Sequence, residues 1–258
     1  MSAGRGAEGP LLAALRAARL GVLAARTLGR QRRAGEAGSA LEVRRARARV
    51  LSDAARRTLA LHGISVELEG SPPGGPALLA SNHVSYLDPL AIAAVVPCVP
   101  ISKADVGGWP VIGRVARASG VLLVERGDAG SRLRVVREAH DVVASGLPVL
   151  NFPEGTTSLG QVVLPLRPGL FSVALRARVP VVPIAIRYEP AELAWVGDAT
   201  FLPHYLRLAA RSASRVRVAF GAPLDPASYP GAAELAAATH ARISALLEEE
   251  PAWLRILR

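Results

Sequence analysis

From Ile64 onward, short runs of β-branched and other apolar residues alternate with longer stretches whose apolar positions recur three and four residues apart. The short runs cover residues 65–68, 77–80, 99–102, 121–124, 148–151, 181–186 and 215–220, most of them shortly preceded by Gly or Pro, and they read as strands. Helical patterning fills 89–96, 109–118, 131–145, 169–178 and 231–250, where the last stretch sets Leu235, Ile243, Leu246 and Leu247 on one packing face. Strands that alternate with helices predict an α/β fold, here a mixed and largely buried sheet flanked by helices.

The first 62 residues carry a different pattern. Residues 1–9, rich in Gly, Ala and Ser, read as a mobile tail, and 10–30 as a helix with Arg16, Arg19, Arg26 and Arg30 on one face beside Leu11, Leu15, Leu20, Val22 and Leu23. Residues 35–39 break that helix, and a second follows over 41–61 with Arg44, Arg45, Arg47, Arg49, Arg56 and Arg57. The division expected is a basic helical pair over 1–62, followed by one α/β domain over 63–258.

Charge sharpens this division. The net charge is +10, yet residues 1–60 hold 13 arginines against 4 acids, while 61–258 hold 18 basic and 17 acidic groups. Two basic helices in series fit an anionic bilayer surface, with arginine stems snorkelling and each charge contributing about 1 kcal/mol. They equally fit a solvated hairpin packed on the domain. Nucleic acid is disfavoured as a partner, because aromatic residues make up only 4% of the chain and the main domain is nearly neutral.

Composition sets further bounds. A chain of 258 residues, half of them hydrophobic, can build a large core. The single cysteine, Cys98, allows neither an internal disulfide framework nor a multi-cysteine metal site, and reads as a buried apolar residue in a reducing compartment. No run approaches the roughly 18 apolar residues of a spanning helix, and arginines interrupt the N-terminus where a secretion signal would be uniformly apolar. Retention in the cytoplasm is the simplest expectation.

Candidate chemistry begins directly after the run 77–80, at His83-Val84-Ser85-Tyr86-Leu87-Asp88. Asp88 followed by Pro89 reads as an N-cap with proline at the first helical position, and the turn between can fold the carboxylate onto the imidazole. Such a pair makes a general base whose tautomer the carboxylate fixes. A capping Asp beside an unrelated loop His would give the same spacing. Ser85 invites a serine-nucleophile reading, but no Gly-x-Ser-x-Gly elbow surrounds it. Arg126 closes Gly120-Val121-Leu122-Leu123-Val124-Glu125-Arg126, either aimed into a cleft or paired with Asp128 at the surface. Phe152-Pro153-Glu154-Gly155-Thr156-Thr157-Ser158 presents a carboxylate and small polar groups at a strand end, as a Gly-capped turn also would. His140, His204 and His240 lack ligand spacing, so no metal is expected.

These blocks, followed by Val179-Pro180-Val181-Val182-Pro183, occur in an order that resembles the glycerolipid acyltransferase family, typified by 1-acylglycerol-3-phosphate acyltransferases, over about residues 64–225. The resemblance implies that His83 is the general base and Asp88 its orienting partner, with no enzyme nucleophile. It implies that Arg126, Glu154 and Gly155 bind the glycerol phosphate end of the acceptor, with Thr156 beside them, Lys103 as a further basic contact and Arg167 behind these. It further implies acyl-CoA or acyl carrier protein as co-substrate, no other cofactor, and a lysolipid acceptor, 1-acylglycerol 3-phosphate first. Thr157 departs from the pattern, because many members carry Arg there; with Gly160 and Leu164-Pro165-Leu166-Arg167 it resembles enzymes that acylate lyso-ornithine lipids. Trp109, Pro110 and Ile112 fit a membrane contact or the core equally. A thioester hydrolase and a non-catalytic lipid-binding or membrane-tethering protein are the rival readings.

Overall fold

The computed structural model describes residues 5–36, 38–197 and 199–249, so the start of the expected N-terminal tail and Glu250 lie outside the described residues. Its strands are β1 (Ile64–Glu69), β2 (Leu78–Ser81), β3 (Val99–Lys103), β4 (Leu122–Val124), β5 (Val149–Asn151), β6 (Val181–Glu189) and β7 (Ser214–Phe220). They form one mixed sheet in the order β1-β7-β6-β2-β5-β3-β4, parallel throughout except for the antiparallel pair β6 and β7. All seven coincide with the runs read from the sequence. Central strand β2 is buried on both faces, which is why Leu78-Leu79-Ala80 appears as a continuous apolar run and not an alternating one.

Side chains leave the sheet alternately, and each set has its own helical cover. Leu79, Leu150 and Ile184 share a core with α3 (Asp88–Val95), α2 (Ala40–Leu61), α8 (Phe201–Ala209) and, through Ala13, α1 (Arg5–Ala34). Leu78, Ala80 and Val149 pack on α6 (Ala129–Ala144), α7 (Phe171–Ala177) and α9 (Ala232–Glu248). Two short helices, α4 (Ala104–Gly107) and α5 (Ile112–Ala118), lie between β3 and β4. The N-terminal pair is therefore part of the covering layer. Ser39 and Glu42 begin α2 with a reciprocal capping box, the break expected over 35–39.

The arginines of this pair are used differently from the sequence expectation. Arg19 and Arg26 are exposed, but Arg16, expected on the same face, is buried and donates to the carbonyls of Ala209 and Arg211 at the end of α8. Arg44 donates to Asp141 O (2.8 Å) and Arg45 to Ser145 O (3.2 Å) at the end of α6, and Arg56 to Ala94 O (3.2 Å) at the end of α3. Last-turn carbonyls lack intrahelical donors and carry the negative end of the helix dipole, so a guanidinium is well suited to close them. Four arginines of the basic pair thus fasten three other helices.

Arg16→Ala removes donors from two carbonyls at a buried junction. It is expected to lower the unfolding free energy by about 2 kcal/mol, read as a shift of the urea midpoint without loss of cooperativity.

Candidate active site

Strands β2, β5, β3 and β4 are adjacent and parallel, so their carboxyl ends open on one edge of the sheet. Lys103 closes β3, and His83, Glu154 and Arg126 follow the ends of β2, β5 and β4. Residues up to 71 positions apart in the sequence are thereby brought to a single crevice, the usual ligand position in open α/β sheets.

The turn bearing His83 is set from both ends. After β2 stops at Ser81, the Asn82 amide takes over the next rung of the sheet: its Nδ2 donates to Ile186 O (3.0 Å) and its Oδ1 accepts from Ile186 N (2.7 Å). The His83 ring stacks on Phe152 at a centroid distance of 4.3 Å, and its Nδ1 lies 2.7 Å from Asp88 Oδ2. Asp88 is fully buried, and Oδ2 also accepts from the backbone N–H groups of Val84 (2.6 Å) and Ser85 (2.9 Å). The Tyr188 hydroxyl donates to its other oxygen at 2.7 Å. A carboxylate that only accepts assigns the proton to Nδ1 of His83 and leaves Nε2 with a free lone pair.

Two details differ from the expectation. Leu87, not Asp88, is the cap of α3; Asp88 is the first helical residue and Pro89 the second, and the carboxylate turns back to the N–H groups of the preceding loop. Ser85 is fully buried, with no hydrogen bond from its hydroxyl to His83, so it offers no nucleophile to the site.

The opposite wall is built on Gly155. Its φ of +76° is a left-handed conformation that glycine adopts without strain. Its carbonyl accepts from the Arg126 guanidinium, and a Cβ in its place would stand 2.9 Å from Arg167 Nε. Burial holds Arg126 below the usual guanidinium range, the neighbouring Arg167 charge adds to that effect, and Asp105 opposes it. Arg126 is not paired with Asp128, whose carboxylate instead caps α6 through Gly130 N (2.9 Å) and Ser131 N (3.0 Å). Lys103 forms an exposed ion pair with Asp105. Thr156 is exposed, whereas the Thr157 hydroxyl donates to the Trp195 carbonyl and so fastens the loop.

His83, Lys103, Arg126, Gly155, Thr156 and Arg167 line one cavity of about 850 Å³, which continues along apolar surface supplied by Ala17, Leu20 and Ala24 of α1 and Leu51, Ala54 and Leu59 of α2. Asp88 and Glu154 stand behind this lining, and the Glu154 carboxyl is buried with neither oxygen in a well-formed hydrogen bond. Burial raises it to about 8, the backbone groups of Leu164 and His83 pull in the opposite direction, and the Asp88 charge raises it further. Trp109 packs against Trp195 and Phe201 with centroids 5.8 and 4.9 Å apart, and Tyr86 joins both rings, so this cluster forms part of the cavity wall.

The sequence profile described as Acyltransferase matches residues 63–187. The lyso-ornithine lipid O-acyltransferase of Brucella abortus is 32% identical over 193 residues, 68% of this chain and 72% of that protein. The chain belongs to the acyltransferase family. The enzyme of the same name from Pseudomonas aeruginosa is 36% identical over 55% of this chain and 57% of its own length. The 1-acyl-sn-glycerol-3-phosphate acyltransferase of Neisseria meningitidis is 33% identical over 55% and 56%. The chain thus spans little more than half the length of several relatives. The crystal structure of the 1-acyl-sn-glycerophosphate acyltransferase from Thermotoga maritima shares the fold, with a TM-score of 0.70 over 93% of each chain at 20% identity.

Within this acyltransferase-family site, sequence reasoning passed over the roles of Asn82, Phe152 and Tyr188. Asn82 directly precedes the His83 block and Phe152 opens a later one, but neither has a role in that reading. Tyr188 carries only a faint sign, an aromatic with a polar tip near the end of a buried strand. Among the described residues no three His, Cys, Asp or Glu side chains cluster as a metal site. His204 is held by the Tyr86 hydroxyl (3.1 Å) and Ala194 O (3.2 Å), and His240 by Val163 O (3.1 Å).

Glu154 makes stability depend on pH. Between about 4.5 and 8 the folded protein retains a proton that the unfolded chain has released, so stability falls as the pH rises through that window. Glu154→Gln keeps an uncharged side chain of the same shape. Its melting temperature is expected to gain a few degrees on wild type between pH 5 and pH 8.5 in thermal melts.

Proposed function

We propose that the protein transfers a fatty acyl group from a thioester, acyl-CoA or acyl carrier protein, to the free hydroxyl of a lysolipid. The observation that carries this reading is the position of His83 between an apolar cavity and two guanidinium groups, with its tautomer fixed by Asp88. His83 Nε2 takes the proton of the acceptor hydroxyl as its oxygen attacks the thioester carbonyl. The new C–O bond forms, the C–S bond breaks, and the imidazolium returns the proton to the leaving thiolate. Asp88 stabilises the imidazolium in between. No enzyme nucleophile and no cofactor beyond the acyl carrier enters these steps.

Arg126, Arg167, Lys103, Thr156 and the Glu154-Gly155 turn form the headgroup end of this proposed site, and the anionic headgroup of 1-acylglycerol 3-phosphate fits two guanidinium groups. A second acceptor, lyso-ornithine lipid, is favoured by Thr157, which provides a loop hydrogen bond and no cation. The names of the Brucella and Pseudomonas relatives support the same acceptor.

The apolar portion needs access to lipid. Leu11, Leu15 and Val22 of α1, and Leu202 and Leu206 of the adjoining α8, are exposed together with Arg19, Arg26 and Arg207. We place this face on an anionic bilayer as a peripheral contact on the cytoplasmic side, with residues 1–62 as the associating part and 63–258 as the transferase part. No helix among the described residues is long and apolar enough to cross a membrane.

Purified protein with labelled palmitoyl-CoA and either lysolipid is expected to yield the diacylated product, and His83→Ala to lower the rate about 10²–10⁴-fold. Free fatty acid without acceptor would point to a hydrolase. Unchanged lipid with both CoA and carrier-protein donors would point to a binding protein. Separately, Leu11→Asp with Leu202→Asp is expected to weaken sedimentation with phosphatidylserine vesicles about tenfold or more while the melting temperature is retained.

A further inference from the structure

The two ends of the His83 turn are tied to the same strand. Asn82, before the histidine, bonds both backbone groups of Ile186, and Asp88, after it, receives the hydroxyl of Tyr188. Ile186 through its backbone and Tyr188 through its hydroxyl, two residues apart on β6, thus meet the turn at its two ends. From this bracket we propose that Tyr188 is a positioning residue for acyl transfer: its hydroxyl holds Asp88 in the rotamer that keeps the His83 ring aimed into the cavity.

The chemistry around Asp88 supports this division of labour. Oδ2 is shared by His83 and two backbone N–H groups, all within the loop itself, so these bonds move with the loop. Among the described residues, the Tyr188 bond to Oδ1 is the hydrogen bond to Asp88 that comes from the sheet. Without it, the carboxylate would be referenced only to the turn it is meant to hold. Tyr188 is deeply buried, and burial pushes its hydroxyl well above the usual phenol range, with the Asp88 charge adding to the effect. Both effects favour the protonated hydroxyl, the form that donates to Asp88. Phe152, stacked on the other side of the imidazole, restricts its tilt but cannot set its rotation about the ring normal.

The test uses the full chain and rests on the acyl-transfer reading above. Tyr188→Phe keeps the ring and removes only the donor. It is expected to lower kcat about tenfold, equivalent to one lost hydrogen bond to a charged group, while KM for palmitoyl-CoA and for the lysolipid stays within about twofold. Kinetics are read well below the melting temperature of the variant. In a double-mutant cycle, Tyr188→Phe in an Asp88→Asn background is expected to add no further loss, because Tyr188 acts through Asp88. The double variant carries the test if Tyr188→Phe alone does not fold, since it removes both the donor and the charge it serves. An unchanged kcat in Tyr188→Phe, a rise in KM alone, or losses that multiply in the double variant would overturn the role of Tyr188 while wild-type transfer stands. If wild type moves no acyl group, the acyl-transfer reading fails and this inference fails with it.

Discussion

A carboxylate removed from water must find its hydrogen bonds in the protein, and Asp88 does so by drawing on two separate pieces of the chain. Two backbone N–H groups and the His83 imidazole come from the turn before it, and a phenol comes from β6. Meeting these demands at once determines how β2 ends, where α3 begins and how both stand against β6. Losing a partner here would leave a buried acceptor unsatisfied, which costs roughly 1–3 kcal/mol. The geometry of the His83 turn is therefore enforced by folding stability itself.

The sheet decides what faces this histidine. Four adjacent parallel strands end on the same edge, so side chains that follow each strand converge without any long loop having to reach across. The antiparallel pair β6 and β7 carries the sheet outward on the other side, and β6 supplies Ile186 and Tyr188 to the turn. The N-terminal helices contribute in two ways: their small and apolar residues extend the cavity, and their arginines close the carbonyl ends of α3, α6 and α8. Removing that pair would expose both the cavity and three helix ends.

Much of this was legible in the sequence for definite reasons. Central strands buried on both faces leave dense apolar runs, and these, with boundaries near Gly and Pro, made the strands visible. The His83 and Asp88 pair was visible because both residues belong to one local turn. Helix α8 was not, since Phe201–Ala209 is short, contains Pro203, and buries His204 and Tyr205, whose polar tips are satisfied by Tyr86 and His62 far away in sequence. Arg16 was misread for the same reason, because its partners lie on the element that was not seen. Tyr188 needed the register of β6 against the turn, a long-range fact that no local pattern encodes.

The Gly155 turn brings Arg126 against its carbonyl and Arg167 close to its α-carbon, so two like charges stand near each other and repel. An anion arriving between them would act as a counterion and relieve that repulsion. Two guanidinium groups so placed would accept small oxyanions as readily as larger ones. Phosphate or sulfate in the surrounding buffer would compete for that position, and rising ionic strength would weaken binding there before it disturbed contacts along the apolar part of the cavity.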